Sequence, residues 1–257
     1  MAERLFYGWR LLATGLCFVM FGAGGILLRL VGFPLLNGFV RDKSRRAWRA
    51  RKMIQTSFRL FVGFMHGLGV LRYEIEGLER LERTGLLILA NHPSLIDTVF
   101  LMAITRRADC IVKAALQTNV FTRGPVTSAG YIFNDHGVEL VDDCVRSLKS
   151  GSNLIVFPEG TRTSPDGVLR LKRGAAHIAL RAQCDITPVV IVCHPRTLGK
   201  EGKWWAIPRR QVKFKIIVQE DIAIAPFIAE PGDANLAARN LAAHLQRYFT
   251  EEIQRHA

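Results

Sequence analysis

An apolar run that ends abruptly in polar residues, LLILANHPSLIDTVF at residues 86–100, indicates a strand-to-helix corner. The five apolar residues 86–90 predict a strand that is buried on both faces. Pro93 suits the first turn of a helix, and Asp97 is typical of a helix start before the apolar run that follows. His92 is therefore expected at the carboxyl end of a strand, where open α/β sheets bind their ligands.

The same stretch holds a possible base and a group to orient it. Asp97, five positions after His92, could reach back to one imidazole nitrogen and fix its tautomer. The other nitrogen would then be free to accept a proton from a substrate. The residues alone leave open a plainer interpretation, in which His92 merely caps its own helix.

A second buried strand ends in the same way, in LIVFPEGTRTSPDG at residues 154–167. Glu159 supplies a carboxylate, Gly160 allows a backbone N–H to approach a ligand closely, and Thr161 offers a hydroxyl. Arg162 presents a planar fork that matches a phosphate or a carboxylate. Taken alone, these residues could also be a polar turn with a surface ion pair, but two such strand ends in one sheet could face a common cleft.

The order of the remaining patterns predicts an α/β fold with a mixed, largely parallel sheet flanked by helices. Further strands are expected at 71–77, 110–113, 131–133, 153–157, 186–193 and 211–219. Helices are expected at about 94–105, 138–150, 173–183 and from 233 to the end. We find no internal repeat.

The N-terminal region predicts a membrane anchor. Residues 11–28 carry no charge and are just long enough to span a bilayer, with a break expected at Pro34, so a re-entrant hairpin and a full crossing are both open. Residues 41–52 hold seven Lys or Arg against one Asp, within a chain of net charge +13, and are expected to lie on anionic headgroups at the cytoplasmic face. A secretory signal is the competing interpretation of the apolar run.

We accordingly divide the chain into a membrane-anchoring and interfacial helical region at 1–69 and an α/β domain at 70–257. Residues 53–71 are amphipathic and predict an interfacial or domain-docking helix, or an ordinary core helix. The five cysteines are scattered without a paired spacing, so neither disulfides nor a metal site are expected. A non-catalytic basic membrane protein remains an alternative, whereas no nucleic-acid motif accompanies the charge.

Four blocks of the sequence resemble the glycerolipid and lysophospholipid acyltransferase family. NHPSLID at 91–97 is similar to the family's first block, and FPEGTRTS at 157–164 is similar to its third block. GYIFNDH at 130–136 and ITPVVIV at 186–192 resemble its second and fourth blocks. The resemblance covers roughly residues 70–220.

The resemblance implies that His92 is the general base and that Asp97 orients it. It also implies a set of substrate-binding residues, namely Asn91, Lys113, His136, Glu159, Gly160, Thr161 and Arg162. The co-substrate would be an acyl carrier protein or coenzyme A thioester, and the acceptor would be a lysolipid such as 1-acylglycerol 3-phosphate. No further cofactor is expected, and the enzyme would lie on the cytoplasmic face of a membrane, the inner membrane if the source is bacterial.

His136 departs from the family pattern, which usually ends the second block in arginine. A neutral imidazole binds phosphate more weakly than a fixed guanidinium. An acceptor without a phosphate monoester, such as an aminolipid or a specialised lipid, is therefore the alternative within the same class of enzyme.

Overall fold

The structure, a computed structural model, describes residues 2–118, 122–135, 139–228 and 234–256. Within these residues the helices are α1 (Ala2–Leu27), α2 (Phe33–Phe39), α3 (Lys43–Gly67), α4 (Asp97–Ile104), α5 (Arg123–Ala129), α6 (Leu140–Lys149), α7 (Gly174–Ala182), α8 (Ala225–Ile228) and α9 (Ala234–His256). The strands are β1 (Leu71–Glu76), β2 (Leu87–Ala90), β3 (Ala108–Val112), β4 (Ile132–Phe133), β5 (Asn153–Val156), β6 (Ile186–His194) and β7 (Val212–Val218).

In the described part of the chain the strands form one seven-stranded sheet in the order β1-β7-β6-β2-β5-β3-β4. The strands from β6 to β4 in this order are mutually parallel, whereas β7 runs antiparallel to β6 and parallel to β1. The predicted mixed, largely parallel sheet is confirmed. The carboxyl ends of β2, β3 and β5 consequently lie along one edge, and the loops that follow them can share a site.

Each face of the sheet carries its own apolar core, because successive side chains of a strand point in opposite directions. On one face, Ile88 packs with residues of α3 and α4, including Ile54 and Phe100. On the other face, Leu87 packs with residues of α6, α7 and α9, including Phe249. Helices therefore cover both sides of the sheet, as the fully buried residues of β2 require.

The N-terminal segment Phe6–Phe39 is one helical run, long and apolar enough by length and composition to cross a membrane. A short π-helical turn at Leu28–Gly32 joins α1 to α2. The predicted break at Pro34 is wrong, because Pro34 lies in the first turn of α2, where a proline needs no N–H partner.

The chain reverses at residues 40–42 and returns as α3, so α1–α2 and α3 form a helical hairpin. The Asp42 side chain accepts a 2.7 Å hydrogen bond from the backbone N–H of Arg45 and caps α3. Phe21 of α1 stacks on Phe58 of α3, with 6.2 Å between ring centroids. The reversal thus comes after the apolar run, and the basic cluster begins the returning helix.

Arg51 corrects the expectation that the whole basic cluster faces headgroups. Its guanidinium is largely buried and pairs with the Asp109 carboxylate of β3, with 2.8 Å between Nη2 and Oδ2. It also donates to the Ala129 carbonyl and to the Ser152 hydroxyl. Part of the cluster therefore fixes α3 to the sheet.

Candidate active site

His92 and Asp97 face each other across the turn between β2 and α4. His92 Nδ1 lies 3.0 Å from Asp97 Oδ2, so Nδ1 carries the hydrogen when the carboxylate is charged and Nε2 has a free lone pair. The same carboxylate oxygen accepts a 2.6 Å hydrogen bond from the Ser94 N–H. Because Asp97 holds this tight turn together, α4 begins at Asp97 rather than at residue 94 as predicted.

Burial controls the charge of Asp97. The residue is fully buried, and burial raises the pKa of its carboxyl from 3.8 to about 6, against the opposing hydrogen bond and charge of His92. The carboxylate is thus held in a low-dielectric setting next to the imidazole. Such a pair stabilises an imidazolium more strongly than an exposed pair would.

The loop after β5 forms hydrogen bonds with both the N–H and the carbonyl of His92. The His92 N–H donates to Glu159 Oε1 at 2.8 Å, and the His92 carbonyl accepts from the Thr163 N–H at 2.7 Å. The Thr163 hydroxyl donates to the same Glu159 oxygen at 2.9 Å. The two polar strand ends therefore meet, as the sequence predicted, and the buried Glu159 holds the histidine backbone in place.

Phe157 fixes the plane of the imidazole. Its ring stacks on that of His92, with 4.1 Å between centroids and 21° between planes. Neither Phe157 nor Thr163 is among the residues predicted for the site from the sequence. The position of Phe157 in the sequence could have indicated a place in the site, because it is the last apolar residue before the polar turn that follows the second buried strand.

Two further residues predicted to bind substrate have structural roles. Both ends of the Asn91 amide are occupied by the backbone of Ile191, which joins the end of β2 to β6. The Gly160 N–H donates to the Phe157 carbonyl at 2.9 Å, so it is not available to a ligand. Gly160 is favoured at this position because its φ is +68°, a conformation that other residues rarely adopt.

Basic side chains follow the same strand ends. Arg162 donates from Nη1 to the carbonyls of Leu198 and Gly199, at 2.9 and 2.7 Å, which commits part of its fork to the loop after β6. Lys113 is exposed directly after β3, and Lys172 is exposed above Gly160. Lys172 is not among the residues predicted for the site, because it lies outside the polar motif.

Two residues of the predicted site remain. Thr161 lies half-buried in the turn between Gly160 and Arg162. His136 lies outside the described residues, so its predicted place in the acceptor site stays a prediction.

An apolar cavity of about 380 Å³ adjoins the His92–Asp97 turn. Leu95, Ile96 and Val99 of that turn and of α4 line one part of it. The helical hairpin supplies another part, and the strands β1 and β7, the loop between β6 and β7, and Leu116 and Thr122 before α5 supply the rest. Hairpin residues in the lining are Arg10, Thr14, Cys17, Phe18, Phe21, Phe58, Phe61 and Met65. The sequence predicted no such cavity, because its walls come from segments that are distant along the chain.

Comparisons with known proteins agree with this architecture. The model of the family described as Acyltransferase matches residues 72–192. The 1-acyl-sn-glycerol-3-phosphate acyltransferase of Helicobacter pylori is 34% identical over 41% of this chain and 48% of its own length. That of Pseudomonas aeruginosa is 25% identical over 80% of this chain and 78% of its own. For the Helicobacter pylori and Cocos nucifera relatives, the chain matches half or less of the relative's length.

A solved structure matches the fold over nearly the whole chain. The 1-acyl-sn-glycerophosphate (LPA) acyltransferase PlsC from Thermotoga maritima superposes with a TM-score of 0.64 at 20% identity, covering 94% of this chain and 98% of its own. The region matched by the family model contains both His92 and Asp97, and the Glu159–Thr163 turn that holds them. In sequence and in fold, the chain is similar to the 1-acyl-sn-glycerol-3-phosphate acyltransferases of the acyltransferase family.

Proposed function

We propose that this protein transfers a fatty acyl group from a thioester to the free hydroxyl of 1-acylglycerol 3-phosphate, in phospholipid synthesis. The observation that carries the proposal is the buried His92–Asp97 pair beside an apolar cavity. The names of the relatives, which are acyltransferases for this acceptor, support the choice of substrate.

The geometry suits general-base catalysis by His92. As the acceptor oxygen attacks the thioester carbonyl carbon, its proton passes to His92 Nε2, and Asp97 stabilises the resulting imidazolium through Nδ1. Collapse of the tetrahedral intermediate breaks the C–S bond, and the imidazolium returns the proton to the thiolate. The products are an ester and a free thiol, and no covalent enzyme intermediate is needed.

The cavity is the proposed place of the acyl chain. Its lining is dominated by apolar side chains such as Phe21, Phe61 and Leu198, and it begins at Leu95 and Ile96, close to the reacting residues. Burying a chain there would remove apolar surface from water at about 0.8 kcal/mol per methylene. The thioester could belong to acyl carrier protein or to coenzyme A.

Lys113, Lys172 and the uncommitted part of Arg162 are the proposed contacts for the acceptor phosphate. All three follow strands whose carboxyl ends lie at the His92 edge of the sheet. An acceptor without a phosphate monoester is the second candidate, and the histidine at position 136 favours it. Competing 1-acylglycerol 3-phosphate against monoacylglycerol, with the same acyl thioester, distinguishes the two acceptors.

We propose further that the protein works at the cytoplasmic face of a membrane. The apolar run Phe6–Phe39 and the basic residues that follow it support this placement. Accessibility of a tag at residue 257 to protease in oriented membrane vesicles tests the sidedness.

The experiment for the reaction is acyl transfer by His92→Ala with radiolabelled thioester and lysolipid. Loss of the base should lower kcat by at least about 100-fold, and Asp97→Asn should lower it by about tenfold or more. His256→Ala, at the end of α9 and outside the His92–Asp97 site, is the matched control and should keep full activity. Turnover of His92→Ala within about threefold of the parent would exclude general-base catalysis by this residue.

A further inference from the structure

The loop between β6 and β7 exposes two adjacent tryptophans. We call residues 199–210 the Trp loop; Trp204 is 44% exposed and Trp205 is 51% exposed. Their rings meet edge to face, with 5.5 Å between centroids. Tryptophan joins a large apolar body to one polar N–H, and it is enriched where a protein meets the lipid–water boundary.

The Trp loop is docked onto α1. The Trp204 ring lies 5.5 Å from that of Phe18, centroid to centroid, and 3.8 Å from where a Cβ on Gly15 would be. The Arg10 guanidinium donates to the Arg209 carbonyl. The exposed tryptophans are therefore held in a fixed place relative to the N-terminal helix.

This place is the flank of the outward apolar face of α1. Leu12, Leu16 and Val19 recur at helical spacing and are exposed. Gly15 and Phe18, which contact Trp204, are their neighbours on the helix. Two segments almost two hundred residues apart thus make one continuous apolar surface.

The charge of the Trp loop specifies what this surface meets. The loop holds four basic residues and one acidic residue, a net charge of +3. The Lys203 ammonium lies 5.5 Å from the centre of the Trp205 ring. Aromatic rings interleaved with cations, beside an apolar helix, fit the headgroup region of a bilayer that contains anionic lipid.

We propose that the Trp loop is a second membrane contact, separate in sequence from the N-terminal helix, which inserts Trp204 and Trp205 among the headgroups of an anionic phospholipid bilayer. The end of the loop also lines the apolar cavity, through Ile207, Pro208 and Arg210. The cavity therefore lies next to this contact, and a lipid could pass from the bilayer toward His92. Only this last consequence rests on the function proposed above.

Quenching by brominated lipid tests the contact without any measurement of activity. The full chain carries Trp9→Phe, Trp48→Phe and Trp204→Phe, so that Trp205 alone emits, and it is reconstituted in phosphatidylcholine–phosphatidylglycerol vesicles. The matched control replaces all four tryptophans with Phe and adds Leu236→Trp on α9, which covers the opposite face of the sheet. We expect brominated lipid to quench Trp205 strongly and to leave the control emission nearly unchanged. A variant that keeps only Trp204 repeats the measurement if the first variant does not fold.

The charge is tested in the same vesicles. Lys203→Glu should lower the fraction of inserted loop by about five- to tenfold, and Arg247→Glu on α9, with the same charge change, should not. Equal quenching of Trp205 and of the control overturns the proposal. A blue shift of Trp205 emission with rising protein concentration in lipid-free micelles also overturns it, because a second copy of the chain would then cover the loop.

Discussion

Asp97 is fully buried, and within the described residues its Oδ1 oxygen has no hydrogen-bond partner. Its other oxygen serves both Ser94 and His92. A buried carboxylate with half its acceptors unused is costly, and this cost appears as the raised pKa of about 6. Burial in the fold disfavours the charged form of Asp97, and such perturbed pKa values are common among catalytic groups.

Asp97→Asn should consequently stabilise the protein more at pH 8 than at pH 4.5. Because the folded pKa of Asp97, about 6, lies above the unfolded value of 3.8, this group costs the parent no stability below about pH 4, and the stability is lost as pH rises from about 4 to about 6. The loss is roughly 3 kcal/mol by pH 8, and the asparagine cannot ionise. Thermal unfolding of both proteins in detergent across this range measures the difference in Tm. A difference that does not change with pH would contradict the pKa.

At the scale of secondary-structure elements, adjacency in the sheet assembles the site. β2 and β5 are parallel neighbours, with Leu87 opposite Leu154, so both polar loops leave the sheet at the same edge. Continuous apolar strands that end in polar residues made this arrangement predictable from the sequence. The patterns of α6, α7, β6 and β7 were equally readable, because each has a clear period and a turn at its end.

Side-chain direction within the motifs was not predictable. From the sequence alone, Asn91, Glu159 and Gly160 fit a substrate contact as well as a structural role. Their partners in the fold, Ile191, Thr163 and Phe157, show the structural contacts. The cavity could not be predicted from the sequence for the same reason, because α1, α3 and the strands that line it meet only in the folded chain. Partners that are distant in sequence leave no local pattern.

Arg51 is a second residue whose partner could not be predicted. It belongs to a basic run that the sequence places on the surface, but it forms a buried ion pair with Asp109. The Asp109 side chain is only 3% exposed, and it also accepts a 2.6 Å hydrogen bond from the Ser147 hydroxyl. Burial raises the pKa of Asp109, and the Arg51 charge opposes that rise. The pair joins α3 to β3, and we expect it to hold the hairpin in register with the sheet.

Arg51→Ala should destabilise the protein by about 3–5 kcal/mol, because it leaves a buried carboxylate without its counter-charge. The loss should shrink in acid, where the raised pKa lets Asp109 become neutral. Arg170→Ala, which removes an exposed ion pair with Asp166, is the matched control and should change stability little. Urea unfolding of the solubilised proteins at two pH values measures both effects. Equal midpoints for Arg51→Ala and the parent would show that the pair does not support the fold.

On the scale of the whole molecule, α1 belongs to two surfaces at once. Its outward residues, such as Leu12 and Val19, are exposed and apolar. Its inward residues, such as Cys17 and Phe21, close the cavity against Phe58 and the sheet. Membrane attachment and the proposed acyl site are therefore built from opposite sides of one helix, which couples them physically.

A chain of residues 42–257 tests this coupling. It keeps the Asp42 cap and the Arg51–Asp109 pair, whereas a start near residue 53 would cut through α3. We expect it to float poorly with liposomes that contain anionic lipid, since the run Phe6–Phe39 is gone. We also expect it to lose its preference for long acyl thioesters, because each methylene that is no longer buried forfeits about 0.8 kcal/mol, or about fourfold in kcat/KM.

The diagnostic measurement is the ratio of kcat/KM for a long and a short acyl thioester in the full and the shortened chain. Circular dichroism and retained turnover of the short thioester are the controls for folding, because His92, Asp97 and their braces lie outside the deleted segment. If α1 forms a wall of the acyl site, the ratio falls together with flotation. If flotation falls while the ratio is preserved, α1 anchors the protein without shaping its substrate site, and the acyl chain must bind against the remaining walls of the cavity.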